Sequence, residues 1–285
     1  MKQNTPYPSR IILLSLLFFL ALPLPIHGQN KSPFQVDLAI DIPIIIGTGA
    51  IGLVPELIKD ELHTGSDDNY DRKTVNPFDR PVTYYNCSGS KLASDIMIYS
   101  IVALPFVIDF LDVAVDKSSD RYLGFGKDAL ILAETLSINF IVNQVFKYSV
   151  RRPRPYLYNP NIPVSKKGGT DAHLSFYSMH TSTAFSIATA YAYLFMKRHP
   201  KSPWRYVVWV GGMSMASTVG MLRVFAGKHY WSDVITGAVV GGCIGFLVPY
   251  LHTIGGKSDE KSLQWHIQPV IGENGYQGIW IAFGF

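Results

Sequence analysis

The sequence predicts an all-α protein: a bundle of about six helices, embedded in a membrane, with a short C-terminal β-hairpin. Apolar residues make up 48% of the chain and charged residues only 16%, whereas a soluble domain carries about 25% charged residues. Apolar segments recur at close to the length that crosses a bilayer. No alternation of helices and strands separates them, so the apolar faces must pack helix against helix.

Six apolar segments predict the helices, and each has about 16 to 23 residues, close to the roughly 20 that span a bilayer. In chain order they are Val36–Ile58, Ile96–Val115, Ala129–Phe146, Thr181–Met196, Tyr206–Met221 and Val234–Leu251. Several contain carboxylates, which are costly in a membrane and are therefore expected to face the bundle interior. These carboxylates are Asp37, Asp41, Glu56, Asp109, Asp112 and Glu134.

The N-terminus has the pattern of a secretory signal peptide. Lys2 and Arg10 precede the apolar run Ile11–Ile26, and the small residue Gly28 stands before polar residues. Cleavage after Gly28 is expected, with an uncleaved anchor helix as the alternative. The predicted divisions are a signal peptide at 1–28, a first helix with a polar loop at 29–92, a helical core at 93–255 and a tail at 256–285.

The tail alternates apolar with polar or small residues in two runs, Gln264–Ile271 and Gly278–Phe285. Gly272–Gly275 between them is typical of a turn, so the pattern predicts the β-hairpin. The net charge of +4 is modest and forms no block of like charges, which argues against a nucleic-acid partner. The two cysteines lie too far apart in the chain to indicate a zinc site or a disulfide framework.

Three polar clusters stand out against the apolar background. Lys147–Pro155 follows the third predicted helix, Ser178–Ser182 opens the fourth, and Arg223, His229 and Asp233 run from the fifth into the sixth. Phosphoryl transfer needs several cationic donors around the equatorial oxygens of the phosphate. The first and third clusters supply such cations, and the helix start at Ser178–Ser182 would add backbone N–H donors.

The same clusters contain a candidate nucleophile and a candidate acid. His229 and Asp233 are four residues apart, which places them on one face of a helix. A carboxylate bonded to one imidazole nitrogen would fix the tautomer and leave the other nitrogen free to attack phosphorus. Nearby cations disfavour protonation of His229, and His180 could protonate the leaving alcohol and later deprotonate water.

Together the clusters resemble the signature shared by the type 2 phosphatidic acid phosphatases and the vanadium haloperoxidases: K-x6-RP, then PSGH, then SR-x5-H-x3-D. Lys147–Pro155 matches the first part, and Arg223, His229 and Asp233 match the third. The resemblance implies a helical-bundle phosphatase that works through a phosphohistidine without a metal or other cofactor. It assigns phosphate binding to Lys147, Arg154, Ser178, Met179 (through its N–H) and Arg223. It assigns catalysis to His229 as nucleophile, His180 as general acid and Asp233 as the partner that orients His229.

Three residues depart from the signature. The second part reads Tyr177-Ser178-Met179-His180, so that the usual Pro and Gly are missing, and Leu222 stands where Ser is usual. Glycine lets the backbone approach a phosphate closely, so Met179 could narrow the pocket. We expect activity with altered rate or substrate choice; the alternative is a degenerate member that only binds lipid.

Charge distribution predicts the orientation. The short basic loop Lys197–Arg205 is expected in the cytoplasm, which places the motif loops of an integral inner-membrane protein at the periplasmic face. Val36–Ile58 would then begin inside, which conflicts with a cleaved signal peptide. Three alternatives remain: this segment lies on the membrane surface, the first apolar run is not cleaved, or the helices form a periplasmic domain.

A site at a membrane surface predicts a phosphorylated lipid as substrate, with a soluble acid phosphatase of small esters and a vanadate-dependent haloperoxidase as rival functions. Four charged residues near the motifs have either a role at the site or none beyond solvation: Arg151, Arg152, Asp171 and His173.

Overall fold

The computed structural model describes residues 32–58, 70–115, 121–163, 167–253, 264–271 and 277–284. The predicted signal peptide, 1–28, lies outside these residues. The described residues form six α-helices: α1 Leu38–Leu57, α2 Ser88–Val115, α3 Arg121–Val150, α4 Met179–Arg198, α5 Trp204–Phe225 and α6 Trp231–Leu251. The predicted all-α bundle is confirmed, with each helix at the position of one apolar segment.

Several helices are longer than the apolar runs that predict them. Helix α2 begins at Ser88 rather than Ile96, and α3 extends from Arg121 to Val150 around the predicted Ala129–Phe146. The added turns are polar, so hydropathy does not detect them, although they contain no proline to break a helix. These extensions place Lys147 in the last turn of α3.

Helix α4 is the central helix, and 13 of its 20 residues are buried, from Thr181 to Phe195. It packs against α3, α5 and α6. In contrast, α1 buries only Asp41 and Gly52 and exposes large apolar residues such as Leu57. The outer helices therefore present apolar surface outward, as lipid contact requires, while the small and hydroxyl residues of α4 face other helices.

Five helical segments of the described residues are long and apolar enough to cross a membrane. They are Leu38–Leu57, Ser88–Leu111, Tyr122–Tyr158, Trp204–Phe225 and Trp231–Leu251. The chain is accordingly an integral membrane protein. Helix α4, the fourth predicted apolar segment, is not among them, because it is rich in small and hydroxyl residues, which suit packing against other helices.

Helices α4 and α6 approach closely along a stripe of glycines on α6. A Cβ atom at Gly237 would lie 2.9 Å from the Ser178 carbonyl oxygen, and one at Gly241 would overlap the Ser182 carbonyl oxygen. Small residues four apart let two helix backbones meet in this way. The contact holds the start of α4, which carries the second motif, against the start of α6.

The chain divides into two compact units, residues 1–253 and 254–285. The second contains strands β1, Gln264–Ile271, and β2, Gln277–Gly284. They pair antiparallel, with Ile267 opposite Ile281. All the helices belong to the first unit.

Candidate active site

The three motifs meet at one end of the bundle. Lys147 lies in the last turn of α3, His180 in the first turn of α4, Arg223 in the last turn of α5, and His229 two residues before the start of α6. Arg154, in the loop after α3, lies with a guanidinium nitrogen 3.3 Å from His229 Nε2. Four helix ends thus bring together residues that are up to 82 positions apart in the chain.

A tight turn between α5 and α6 sets the position of His229. Gly227 has φ +66°, a left-handed conformation that favours glycine, and a Cβ atom there would overlap the Tyr85 carbonyl oxygen. The Gly227 N–H donates to the Val224 carbonyl, and the Gly227 carbonyl accepts from the Tyr156 N–H. The Lys228 N–H donates to the Arg223 carbonyl. These contacts therefore fix the position of His229 relative to Arg223.

The hydrogen bonds of His229 define its tautomer. Nδ1 lies 2.8 Å from the carbonyl oxygen of Ser175, and because a carbonyl only accepts, Nδ1 must carry the proton. Nε2 then keeps its lone pair, which faces the Arg154 guanidinium at 3.3 Å. Burial first, and then Arg154 and Arg223, hold the pKa of His229 well below its usual value. The ring is therefore neutral at pH 7, with its lone pair directed toward the cations.

Asp233 does not form the direct hydrogen bond to His229 that the sequence predicted. Its Oδ2 lies 3.7 Å from His229 Nδ1, beyond hydrogen-bonding distance. His229 precedes α6 rather than lying on it, so the four-residue spacing does not place the two side chains on one helix face. Asp233 instead accepts from Ser175 Oγ at 2.5 Å and from the Tyr230 backbone N–H at 2.9 Å. It is connected to His229 through Ser175, whose carbonyl accepts from His229 Nδ1.

The predicted phosphate-binding cations are buried at the site. Lys147, Arg154 and Arg223 are 7%, 4% and 5% exposed. Arg154 pairs with Asp171 at 2.7 Å, and Arg223 pairs with Asp95 at 3.0 Å. Each arginine has further N–H groups, since a guanidinium has five donors in a planar fork that suits phosphate.

His180 shares a carboxylate with one of these arginines. Its Nε2 lies 3.0 Å from Asp95 Oδ1, the oxygen that also pairs with Arg223. Burial, and then the charge of Arg223, lower the pKa of His180 to about 4, despite the opposing effect of Asp95. The imidazole is therefore neutral at pH 7 until a further negative charge reaches the site.

The second motif forms the N-terminus of α4. Ser178 is the N-cap, and its Oγ accepts from the Thr181 N–H at 3.4 Å and from Thr181 Oγ1 at 2.9 Å. Met179 is the first residue of the helix. First-turn N–H groups have no partner within their helix, so those of Met179 and His180 can donate to an anion at this positive end of the helix dipole.

A buried network beside the site was not foreseen from the sequence. Asp79 is fully buried in the loop before α2 and accepts from Arg152 at 2.8 Å and from the Ser232 hydroxyl at 2.5 Å. Arg152 also bonds Asp233 at 2.5 Å. Hydrogen bonds from Ser232, Arg152 and Asn76 lower the pKa of Asp79, although burial alone would raise it. The network anchors the start of α6.

The peripheral residues separate into different roles. Asp171 pairs with Arg154, and Arg152 belongs to the buried network just described. His173 bonds the Tyr70 hydroxyl at 2.6 Å, in contact with the polar loop. Arg151 lies on the surface with φ 49° and donates to the Tyr148 carbonyl.

Comparison with known proteins finds partial similarity to curated phosphatases. The chain is 38% identical over 101 residues to the lipid A 1-phosphatase of Porphyromonas gingivalis, covering 35% of this chain and 18% of that protein. It is 25% identical over 173 residues to human dolichyldiphosphatase 1, covering 57% of this chain and 67% of the relative. The first of these matches thus spans less than a fifth of the curated relative.

Among solved structures, a transmembrane PAP2-type phosphatidylglycerolphosphate phosphatase from Bacillus subtilis aligns with 87% of this chain and 96% of its own, with 20% identity and a TM-score of 0.38. Residues 128–255, which include Lys147, Arg154, His180, Arg223 and His229, match the sequence model of the PAP2 superfamily. This match covers 128 of the 285 residues, and over them the chain is similar to the PAP2 superfamily.

Proposed function

We propose that the chain hydrolyses phosphomonoesters or diphosphates of lipids through a phosphohistidine on His229. The observation that carries the proposal is the His229 imidazole, buried and neutral, with its Nε2 lone pair directed at Arg154. A nucleophile facing a cluster of phosphate-binding cations has the arrangement that attack on a phosphoryl group requires.

In the first step, the phosphoryl group binds among Arg154, Arg223 and Lys147. The Nε2 lone pair of His229 attacks phosphorus, and the bond from phosphorus to the leaving oxygen breaks. The departing oxygen takes a proton from His180. The products are phosphohistidine and a lipid with one phosphate fewer.

In the second step, a water molecule attacks the phosphohistidine. Neutral His180 takes the proton of that water, the P–N bond breaks, and its electron pair returns to Nε2 of His229. Inorganic phosphate leaves, His229 is neutral again, and His180 has regained the proton that it gave in the first step. The same residue thus serves as acid in one direction and base in the other.

The low pKa of His180 fits this sequence when substrate charge is included. In the free protein His180 is neutral at pH 7, since its pKa is about 4. A bound phosphate adds negative charge next to it and favours the imidazolium form. Substrate binding therefore favours the protonated form of His180 that donates the proton. Without substrate, His180 is uncharged and does not compete with Arg223 for Asp95.

A lipid substrate is supported by the position of the site in an apolar bundle. Large exposed apolar residues cover the outer helices, among them Leu57, Phe110 and Leu251. A phosphate at a bundle end is reached most directly from the headgroup layer. The names of the relatives, lipid A 1-phosphatase and dolichyldiphosphatase 1, point to substrates of this class. We place the site on the periplasmic face, from the basic loop Lys197–Arg205.

The test measures phosphate release from a panel of lipid phosphates, lipid diphosphates and soluble esters, without added metal. The wild type is compared with His229→Ala and with the control His199→Ala, which removes an imidazole that packs against Phe195 at the C-terminal end of α4. We expect release from lipids that is lost in His229→Ala and retained in the control. Release from soluble esters only, or release that persists in His229→Ala, would contradict the proposal.

A further inference from the structure

A second cluster of ligating side chains lies at the other end of the bundle. Asp41 is in the first turn of α1, Glu134 is in the middle of α3, and His252 directly follows α6. His229 precedes the same helix, whose 21 residues span about 30 Å. The cluster is therefore separate from the phosphate site.

The three side chains are buried together. Asp41 and Glu134 are each 5% exposed, and the His252 side chain is 11% exposed. One ligand atom from each lies within 4.8 Å of the others. Burial of two carboxylates is costly unless a cation accompanies them.

The orientation of His252 leaves Nε2 facing the carboxylates. Its Nδ1 lies 2.9 Å from the Val248 carbonyl oxygen and must donate to it. Nε2 lies 3.2 Å from Glu134 Oε2 and 3.5 Å from Asp41 Oδ1. An imidazole that donates one N–H to a backbone carbonyl while the other nitrogen meets carboxylates is the arrangement that metal-binding histidines adopt.

Glu134 supplies an independent observation. Its Oε2 is buried and has no aligned hydrogen-bond donor among the described residues, although it forms an ion pair with His252, whose Nε2 is 3.2 Å away. The oxygen therefore lies off the direction in which an N–H of the ring would point. Ligand atoms in a coordination shell have this relation, because the metal, and not the neighbouring ligand, occupies the lone-pair direction of the nitrogen.

The separations match a small coordination sphere. Metal–ligand bonds of about 2.1 Å in a tetrahedral site place neighbouring ligand atoms about 3.4 Å apart. The two separations from His252 Nε2 are 3.2 and 3.5 Å, and all three ligand atoms lie within 4.8 Å of one another. Two carboxylates and a neutral imidazole carry two negative charges, which a divalent cation neutralises. The Asp37 N–H donates to Asp41 Oδ2 at 2.8 Å and leaves Oδ1 for the metal.

We propose that Asp41, Glu134 and His252 bind a divalent first-row metal ion that fastens α1 and α3 to the end of α6. The ligand set, one imidazole and two carboxylates, suits Zn²⁺ or Mn²⁺. The role of this ion is structural, since a metal bound at this end of the bundle does not reach the phosphate site. A backbone hydrogen bond from the Gln35 N–H to the His252 carbonyl oxygen, at 2.8 Å, already joins the residues before α1 to the end of α6.

The test uses Zn²⁺ with untagged full-length protein in detergent. The protein is stripped with EDTA, incubated with one equivalent of Zn²⁺ and desalted, and zinc content and thermal unfolding are then measured. We expect about one zinc per chain and a higher Tm than in the stripped protein, since a ligand that binds only the folded state stabilises it. Neither readout involves phosphate release, so the result is independent of the proposed enzymatic activity.

Two variants and two controls identify the site. Glu134→Gln and His252→Gln should weaken zinc binding more than about 100-fold, beyond the 10- to 100-fold effect of outer-shell changes. His199→Ala and His229→Ala each remove another imidazole and should bind zinc as the wild type does. Wild-type protein that retains no zinc and whose Tm responds to neither EDTA nor Zn²⁺ would overturn the proposal, and the cluster would then be a protonated-histidine ion pair. Equal zinc binding by wild type and His252→Gln would overturn it as well.

Discussion

Asp79→Asn tests whether the buried network beside the site holds the start of α6. Asp79 accepts hydrogen bonds from Arg152, from the Ser232 backbone N–H and hydroxyl, and from the Asn76 amide, and it is fully buried. Asparagine has the same shape, but its NH2 group would face donors and it carries no charge to balance Arg152. The substitution therefore removes the charge and changes little of the packing.

The expected loss of stability follows from the geometry. Removing one partner of a buried ion pair costs about 3–5 kcal/mol. Arg152 keeps Asp233 as a second partner at 2.5 Å and its side chain is 21% exposed, so we expect a smaller loss, about 2–3 kcal/mol. For a chain of this size about 1 kcal/mol corresponds to 2–4 °C, which predicts a decrease in Tm of about 4–12 °C.

The assay compares thermal unfolding of the wild type, Asp79→Asn and the control Asp71→Asn in detergent. Asp71 lies in the same loop but is exposed, so its substitution should shift the Tm by much less. The low pKa of Asp79 means that its stabilising effect is present at neutral pH and is lost as the carboxylate is protonated below about pH 4. The difference between wild type and Asp79→Asn should narrow in acid. Equal shifts in the two variants would refute the reasoning.

Three further predictions concern the helix contact and the cations. Gly241→Ala should destabilise the protein by about 1–3 kcal/mol, since the added methyl group overlaps the Ser182 carbonyl oxygen. The control is Gly47→Ala, whose methyl group meets nothing within 4 Å. Equal Tm values for the two variants would contradict the close contact. Burial and nearby arginines lower the pKa of Lys228 to about 8, so this side chain loses its positive charge above pH 8. Inhibition by inorganic phosphate should therefore weaken above pH 8 in the wild type, and less so in Lys228→Met. Identical pH profiles of the two proteins would exclude Lys228 from the phosphate site. Arg154→Lys should reduce phosphate release at least about tenfold, because lysine cannot reproduce the planar fork, and an unchanged kcat/KM would refute that role.

The helices could be predicted from the sequence because lipid contact demands long apolar runs. Their polar ends could not, as the eight residues from Ser88 to Asp95 show. Helix α4 was found as an apolar segment, but its central position depends on packing. The close contact between α6 and α4 at Gly237, Gly241 and Gly245 was not predicted from the sequence and is shown by the structure.

The site residues were predictable as a set because their spacings match a family signature. Their individual contacts were not. The spacing of His229 and Asp233 predicted a direct hydrogen bond, but His229 lies before the helix and bonds the Ser175 carbonyl instead. Asp79 and Asp95 come from segments with no motif, and their approach to the site depends on how the loop before α2 and the start of α2 fold against it.

The most direct test of the central claim is to trap the phosphorylated protein. Wild type and His229→Ala are mixed with a lipid substrate labelled in the transferred phosphate and quenched within one turnover in alkali, in which phosphohistidine is stable. The account predicts label on the wild type that is lost on brief acid treatment, maps to the peptide containing His229 and is absent from His229→Ala. A labelled His180, or rapid phosphate release by wild type that never carries label, would contradict it.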